Sequence, residues 1–160
     1  RGWCRIEAMA HALAPAASVL PPLLVQGPVD FCFRSPYDTL TRPAGEGEFT
    51  LQSDRRSLAP VLWDLLGKCI ARLLAEGDLF RYRWARAMRG YFMRGLRVCG
   101  DAASERRMLL EGESNLPAFL RAYRLPGLDF NDRGYTPLRY AVLSQNLPVA
   151  RAPPELGAGG

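Results

Sequence analysis

Hydrophobic positions follow helical spacing over most of this chain. From Trp3 to Leu13 the apolar residues Trp3, Ile6, Met9, Ala10 and Leu13 recur three and four apart, a helical stripe that Pro15 ends. The pattern then changes. Leu23 to Gln26 and Val29 to Phe33 are short β-prone runs bounded by Pro and Gly, which predicts two strands. The stretch "PYDTLTRPAGEGEFTLQSD" predicts a loop with a brief edge strand at "EFTL". Its "GEGE" reads as a tight turn rather than a phosphate cradle: no strand leads into it, no helix opens on it, and two glutamates repel phosphate.

The strongest periodicity follows. Leu58, Val61, Leu62, Leu65, Leu66, Cys69, Ile70, Leu73 and Leu74 form an unbroken i, i+3, i+4 stripe, the mark of a long core helix. Ser53 or Ser57 offers a cap, and Pro60, tolerated in a first turn, favours Ser57. Gly77 supplies a left-handed stop and Asp78 a cap for the next helix. That helix, "LFRYRWARAMRGYFMRGLRV", places Phe80, Trp84, Ala87, Met88, Tyr91 and Phe92 on one side and Arg83, Arg86, Arg89, Arg94 and Arg97 on the other. Two readings of the arginine side are open. Its guanidiniums are solvated or paired with acids elsewhere, or Arg83, Arg86 and Arg94 form an anion-binding face for RNA, an anionic membrane or an acidic partner. Gly90 and Gly95 weaken the helix and argue against a free-standing membrane anchor.

Beyond Gly100 short helices are expected over Glu105 to Leu110 and Pro117 to Arg124, the second opened by "SNLP". The expected fold class is α+β, mainly α-helical. Residues 1–52 read as an α/β remnant, 53–128 as a helical section and 129–160 as a C-terminal helix pair.

Composition narrows the function classes. A chain of 160 residues with 48% hydrophobic content can bury a core. Cys4, Cys32, Cys69 and Cys99 lie about thirty residues apart, so none forms the C-x-x-C pair of a zinc or redox site. Reduced, mostly buried thiols in a cytoplasmic protein are expected. No run approaches the roughly 20 apolar residues of a membrane span, and the start lacks the layout of a signal peptide. The net charge of +5 is carried by arginine, Lys68 being the only lysine; it is too modest to imply a specific nucleic-acid partner. His11 is the only histidine, and local spacing places no nucleophile beside it. No cofactor or metal is implied.

The segment "GYTPLRYAVLSQNLPVARAPPELGAGG" resembles an ankyrin repeat, with Gly134, Thr136, Pro137, Leu138, Ala141, Val149, Gly157 and Ala158 in register. Thr136 is suited to cap a helix begun by Pro137, with Leu138 and the small Ala141 facing a neighbouring helix. Arg139 stands where the family has histidine, Gln145 where it usually has glycine, and Ala152-Pro153-Pro154 where the second helix should carry leucines. Two prolines inside a helix cost about 3 kcal/mol or more each, so a short or broken second helix is expected. A single repeat cannot bury its own apolar face and must stack on something else. The resemblance implies binding of another protein through Thr136, Pro137, Leu138, Arg139 and Ala141.

The opening "RGWCRIE" resembles the W-C-x-x-E segment of the Toll/interleukin receptor (TIR) domain, a flavodoxin-like α/β signalling fold with "PPLLVQG" in the place of a strand. Some members of that family cleave NAD with the glutamate four residues after the tryptophan, here Glu7. Such a carboxylate stabilises an oxocarbenium-like charge as nicotinamide leaves. The match covers about the first 27 residues, and the strands of a nucleotide pocket would lie upstream, so the chain reads as a fragment of a longer protein. The whole sequence is also similar to large ankyrin-containing proteins of single-celled algae, a group with no established activity to carry over. The expected function is protein–protein interaction within a signalling or scaffold protein, with no catalysis of its own. The alternative is a TIR-like NAD hydrolase or signalling domain completed by upstream sequence.

Overall fold

The leucine stripe of the middle segment folds as one helix. A computed structural model describes residues 2–15, 23–25, 27–33, 41–98 and 100–152. In it helix α1 spans Gly2–Leu13, strands β1 and β2 span Leu23–Val25 and Phe31–Phe33, and a 3-10 turn covers Ala44–Glu46. Helix α2 spans Gln52–Ala75, α3 Leu79–Phe92, α4 Ala102–Leu109, α5 Leu116–Ala122, α6 Pro137–Leu143 and α7 Leu147–Ala150. None of these helices is long and apolar enough to cross a membrane.

The expected α+β class is therefore corrected: the described chain is helical. Strands β1 and β2 pair antiparallel for three residues each, Leu23 opposite Phe33 and Val25 opposite Phe31. A two-stranded ribbon that short has no face wide enough to be a layer of a core. Residues 48–51, the "EFTL" read as an edge strand, form no strand. Instead Glu48 accepts a hydrogen bond from Gly2 N at 2.7 Å, and the Phe49 ring lies where a Cβ on Gly2 would stand. Pro21, Pro22 and Gln26 of "PPLLVQG" and residues 34–40 lie outside the described residues.

Helix α2 starts earlier than Ser57 and carries Pro60 in its interior. Proline removes the N–H that would meet the carbonyl four residues back, but Pro60 is exposed, so water reaches that carbonyl. The stripe buries Leu58, Leu62, Leu66, Cys69, Ile70 and Leu73 and leaves Val61 half exposed. Gly77, at φ +73, ends the helix: its N–H reaches Leu74 O at 3.2 Å and Asp78 N reaches Leu73 O at 3.0 Å, the paired bonds of a Schellman stop. Asp78 Oδ1 then accepts from Arg81 N at 3.1 Å and caps α3.

Two compact units divide the chain: Arg1–Cys69 with Phe92–Val98, and Ile70–Tyr91 with Cys99–Gly160. In the first unit Ile6, Met9, Ala44, Leu58, Leu62, Leu66, Phe92, Met93 and Leu96 are buried. In the second, Ala87, Leu116, Phe119, Tyr123, Leu125, Tyr140, Ala141 and Val149 form the core. The core of the second unit is largely aromatic: Phe119 and Tyr123 stack at 4.4 Å, Tyr123 and Tyr140 lie 5.8 Å apart, and Tyr135 and Tyr140 5.5 Å. Cys4 and Cys32 are exposed rather than buried, Cys69 is buried, and Cys99 lies outside the described residues.

Candidate functional site: the groove beside helix α6

The segment before α6 is set by local hydrogen bonds. Asp132 N donates to Tyr135 O at 3.0 Å and Tyr135 N returns to Asp132 O at 2.9 Å. The two residues between them, Arg133 and Gly134, have φ of 54 and 83, a tight hairpin turn of the primed kind. Asn131 Oδ1 holds Gly134 N at 2.9 Å. Thr136 Oγ1 then accepts from Arg139 N at 3.4 Å, and Pro137 occupies the first turn, where its missing N–H is harmless. Arg139 turns back on this hairpin. Its Nη1 donates to Gly134 O at 2.6 Å, and its guanidinium lies 5.7 Å from the Tyr135 ring centre.

Helix α6 ends at Gln145, whose φ of 57 lets Gln145 N reach Val142 O at 3.0 Å and Asn146 N reach Ala141 O at 2.9 Å. This is the same stop that Gly77 provides for α2, made here without glycine. Asn146 is buried and bonded on both sides: Oδ1 accepts from Val149 N at 3.3 Å and caps α7, and Nδ2 donates to Glu113 O at 2.7 Å. The second helix is short, as expected, with described structure to Ala152; Pro153, Pro154, Gly157 and Ala158 lie outside the described residues.

The two sides of α6 differ. Tyr140 and Ala141 are buried in the unit's core. Leu138, 58% exposed, and Val142, 61% exposed, lie four apart and therefore on one stripe. Leu147 is 47% exposed. Next to Leu138, toward Ala141, lies a groove of about 410 Å3 lined by Leu116, Leu128, Thr136, Pro137, Leu138, Ala141, Val149, Ala150 and Ala152; Val142 and Leu147 do not line it. Of the residues singled out in the ankyrin-like motif, Thr136, Pro137, Leu138 and Ala141 meet on this groove, and Arg139 does not. Leu138, expected against a neighbouring helix, faces open space. Val142 and Leu147 were missed, although the i, i+4 pair Leu138 and Val142 was readable once α6 was placed.

The arginines of α3 hold the unit together from inside. Arg83 is buried; its Nε donates to Tyr123 O at 2.9 Å, Nη2 to Arg124 O at 2.7 Å and Nη1 to Asp132 Oδ2 at 3.3 Å. Tyr82 Oη adds a bond to Ala122 O at 2.5 Å. The carbonyls of Ala122, Tyr123 and Arg124 lie at the C-terminal end of α5, where a cation is favoured. Arg86 Nε pairs with Glu113 Oε1 at 2.8 Å and Nη2 reaches Glu111 O at 3.4 Å, while Arg89 Nη2 donates to Leu109 O. These residues end or follow α4. Arg83 and Arg86 are thus engaged by internal acceptors rather than displayed on a solvated face. Arg94 is half exposed, lies beyond the end of α3 and pairs with Glu46 at 2.5 Å in the first unit, which draws the Glu46 carboxyl below its ordinary value.

Glu113 is 1% exposed. Burial pushes its carboxyl pKa up, against the pull first of the Arg86 guanidinium, which bonds Oε1, and then of Arg89. Burial also pushes the Tyr123 hydroxyl up, and raises that of Tyr140 to about 12; among the described residues the Tyr140 hydroxyl has no hydrogen-bond partner. Glu7 sits elsewhere, on the exposed side of α1, while Ile6 and Met9 face inward. Trp3 of the same motif donates its indole N–H to Asp54 Oδ2 at 3.0 Å. Among the described residues no group of three or more His, Cys, Asp or Glu could hold a metal ion. No protein-family model matches the chain, and comparison with curated proteins and with solved structures finds no match.

Proposed function

We propose that the chain is an interaction module, in which the ankyrin-like segment from residue 129 docks an apolar helical surface of another protein on the groove beside α6. The observation that carries this reading is Leu138, more than half exposed on a groove lined almost wholly by aliphatic side chains, with the equally exposed Val142 one turn further along α6. Fully covering a leucine or valine is worth about 1.5–3 kcal/mol, so an occupant that buries Leu138, Val142 and Leu147 gains several kcal/mol from them. The adjoining core is fixed by the Asn146 bonds and the Arg83 clamp, so the groove is already shaped before an occupant arrives, which lowers the ordering cost of binding. A helix laid in such a groove is read through side chains one turn apart.

The test is site-directed photocrosslinking from position 142 in cells, with protein identification. A protein crosslinked by the parent chain and lost on Leu138→Glu substitution, with the circular dichroism of the variant unchanged, supports the reading. Equal crosslinking in the variant, or none in the parent, overturns it.

A further inference from the structure

The first unit holds a second feature of different chemistry. Gln52, Ser53, Arg55 and Arg56 at the start of α2 and Gly95 and Arg97 from the segment after α3 surround a cleft of about 440 Å3. Three of its six lining residues are arginines and none is acidic. The nearest acid in sequence, Asp54, accepts the Trp3 indole N–H and does not line the cleft. The acid of the neighbouring loop, Glu46, is held by Arg94.

The three guanidiniums are not equivalent. Arg55 is anchored: Nη2 donates to Gly47 O at 3.4 Å and its charge lies 5.2 Å from the Phe49 ring centre, with Nε left without a hydrogen bond. Arg56 and Arg97 are exposed, and among the described residues nothing pairs with either. Arg97 reaches α2 because two glycines meet. Gly95 has φ +80 and packs on Gly45 so closely that a Cβ on either would come within 2.5 Å of the other's backbone. That contact holds the 93–97 turn beside the 3-10 turn at Ala44–Glu46, and no Gly95 side chain obstructs the cleft. The turn thus brings a third like charge beside two others. The first N–H groups of α2 add a positive field in the same place.

We propose that this cleft binds a small soluble ligand through a phosphate group, a phosphate monoester or a pyrophosphate of nucleotide size. Three guanidiniums with no acid among them call for a polyvalent anion, and the planar forks of arginine suit phosphate oxygens two at a time. The volume lies in the range of small-molecule pockets.

The experiment is calorimetric titration of the whole chain with pyrophosphate, at low salt and at about 0.15 M. The parent is compared with Arg56→Gln/Arg97→Gln and with Arg106→Gln/Arg107→Gln, which removes the same charge from exposed positions elsewhere. Arg56 and Arg97 have no partner among the described residues, so their replacement is expected to leave folding intact, as circular dichroism will verify. The expected result is saturable one-site binding, weakened at least about tenfold by the first pair and unchanged by the second. No saturable binding, or equal weakening by both pairs, overturns the site. Binding only to vesicles containing phosphatidic acid, and not to pyrophosphate, overturns the soluble ligand in favour of a membrane surface.

Discussion

Removing Arg86 isolates a buried carboxylate, and the loss has a ceiling set by pH. Glu113 is 1% exposed and takes a bond from Arg86 Nε at 2.8 Å. Its carboxyl already stands above the ordinary value of 4.5 because burial outweighs the attraction of Arg86. A carboxyl with a raised folded pKa contributes stability that is fully present below its unfolded value and is lost as pH rises through the folded value. In Arg86→Met the apolar stem is kept and the charge is gone, so the folded pKa of Glu113 climbs further. Folding with Glu113 protonated then becomes the cheaper course. Its cost at pH 7 is that of protonating a group about 2.5 units above its unfolded pKa, roughly 3.4 kcal/mol at about 1.36 per unit. At pH 5 the ceiling is only about 0.7 kcal/mol. The wild type already bears part of this penalty, and losing the bond to Glu111 O adds about 1 kcal/mol at any pH. The variant should therefore be about 2–4 kcal/mol less stable at pH 7, a fall in urea midpoint of about 1–2 M for an m of about 2 kcal/mol/M. At pH 5 the deficit should be less than half as large. Urea unfolding followed by circular dichroism at both pH values measures it. A deficit below about 1 kcal/mol at pH 7, or one of equal size at both, refutes the account of Glu113 as a buried charge held by Arg86.

Other expectations rest on backbone and packing. Gln145 holds a φ of 57, so Gln145→Gly should raise stability by about 1 kcal/mol, read as a higher thermal midpoint; a lower midpoint would show that the side chain carries a contact worth more than the backbone strain. Gly95→Ala should lose about 2 kcal/mol or more, because the methyl meets Gly45 at 2.5 Å and φ is +80, and chemical denaturation against the parent tests it. Tyr140→Phe removes a buried hydroxyl that has no partner, so stability should stay level or rise by up to about 1 kcal/mol; a loss above about 1 kcal/mol would mean that the hydroxyl is bonded in solution.

The sequence made the helices legible where one residue type has one use. Gly77, Asp78, Asn115 and Thr136 act in the structure as stop and caps, because left-handed backbone and free N–H groups select those residues regardless of tertiary context. Pro60 misled: the rule that confines proline to a first turn concerns a lost bond, and on an exposed surface water replaces it. The β-prone runs form β1 and β2 where expected, but they misled on the fold class. Val, Phe and Leu in short runs satisfy strand propensity, but propensity does not supply the further strands a sheet layer requires.

The arginine side of α3 shows why the candidate sites were hardest to read. Helical spacing separates Arg83, Arg86 and Arg89 from the aromatic residues, and that separation is consistent with solvent, an acidic ligand or a protein surface rich in acceptors. What decides among these is the position of α4 and α5, whose C-terminal carbonyls lie twenty or more residues away in sequence and carry no side-chain signature. A backbone carbonyl is present at every position, so no pattern marks it as the partner of a guanidinium until the chain has folded. The same argument explains Arg55, Arg56 and Arg97. Two belong to α2 and one to the turn after α3, and only the contact of Gly45 with Gly95 brings them together. Arg83 and Arg86, whose helical spacing suggested an external anion, are held by the unit's own carbonyls and by Glu113, and Arg94 is held by Glu46, while Arg97 from the same side meets Arg55 and Arg56 of a separate element.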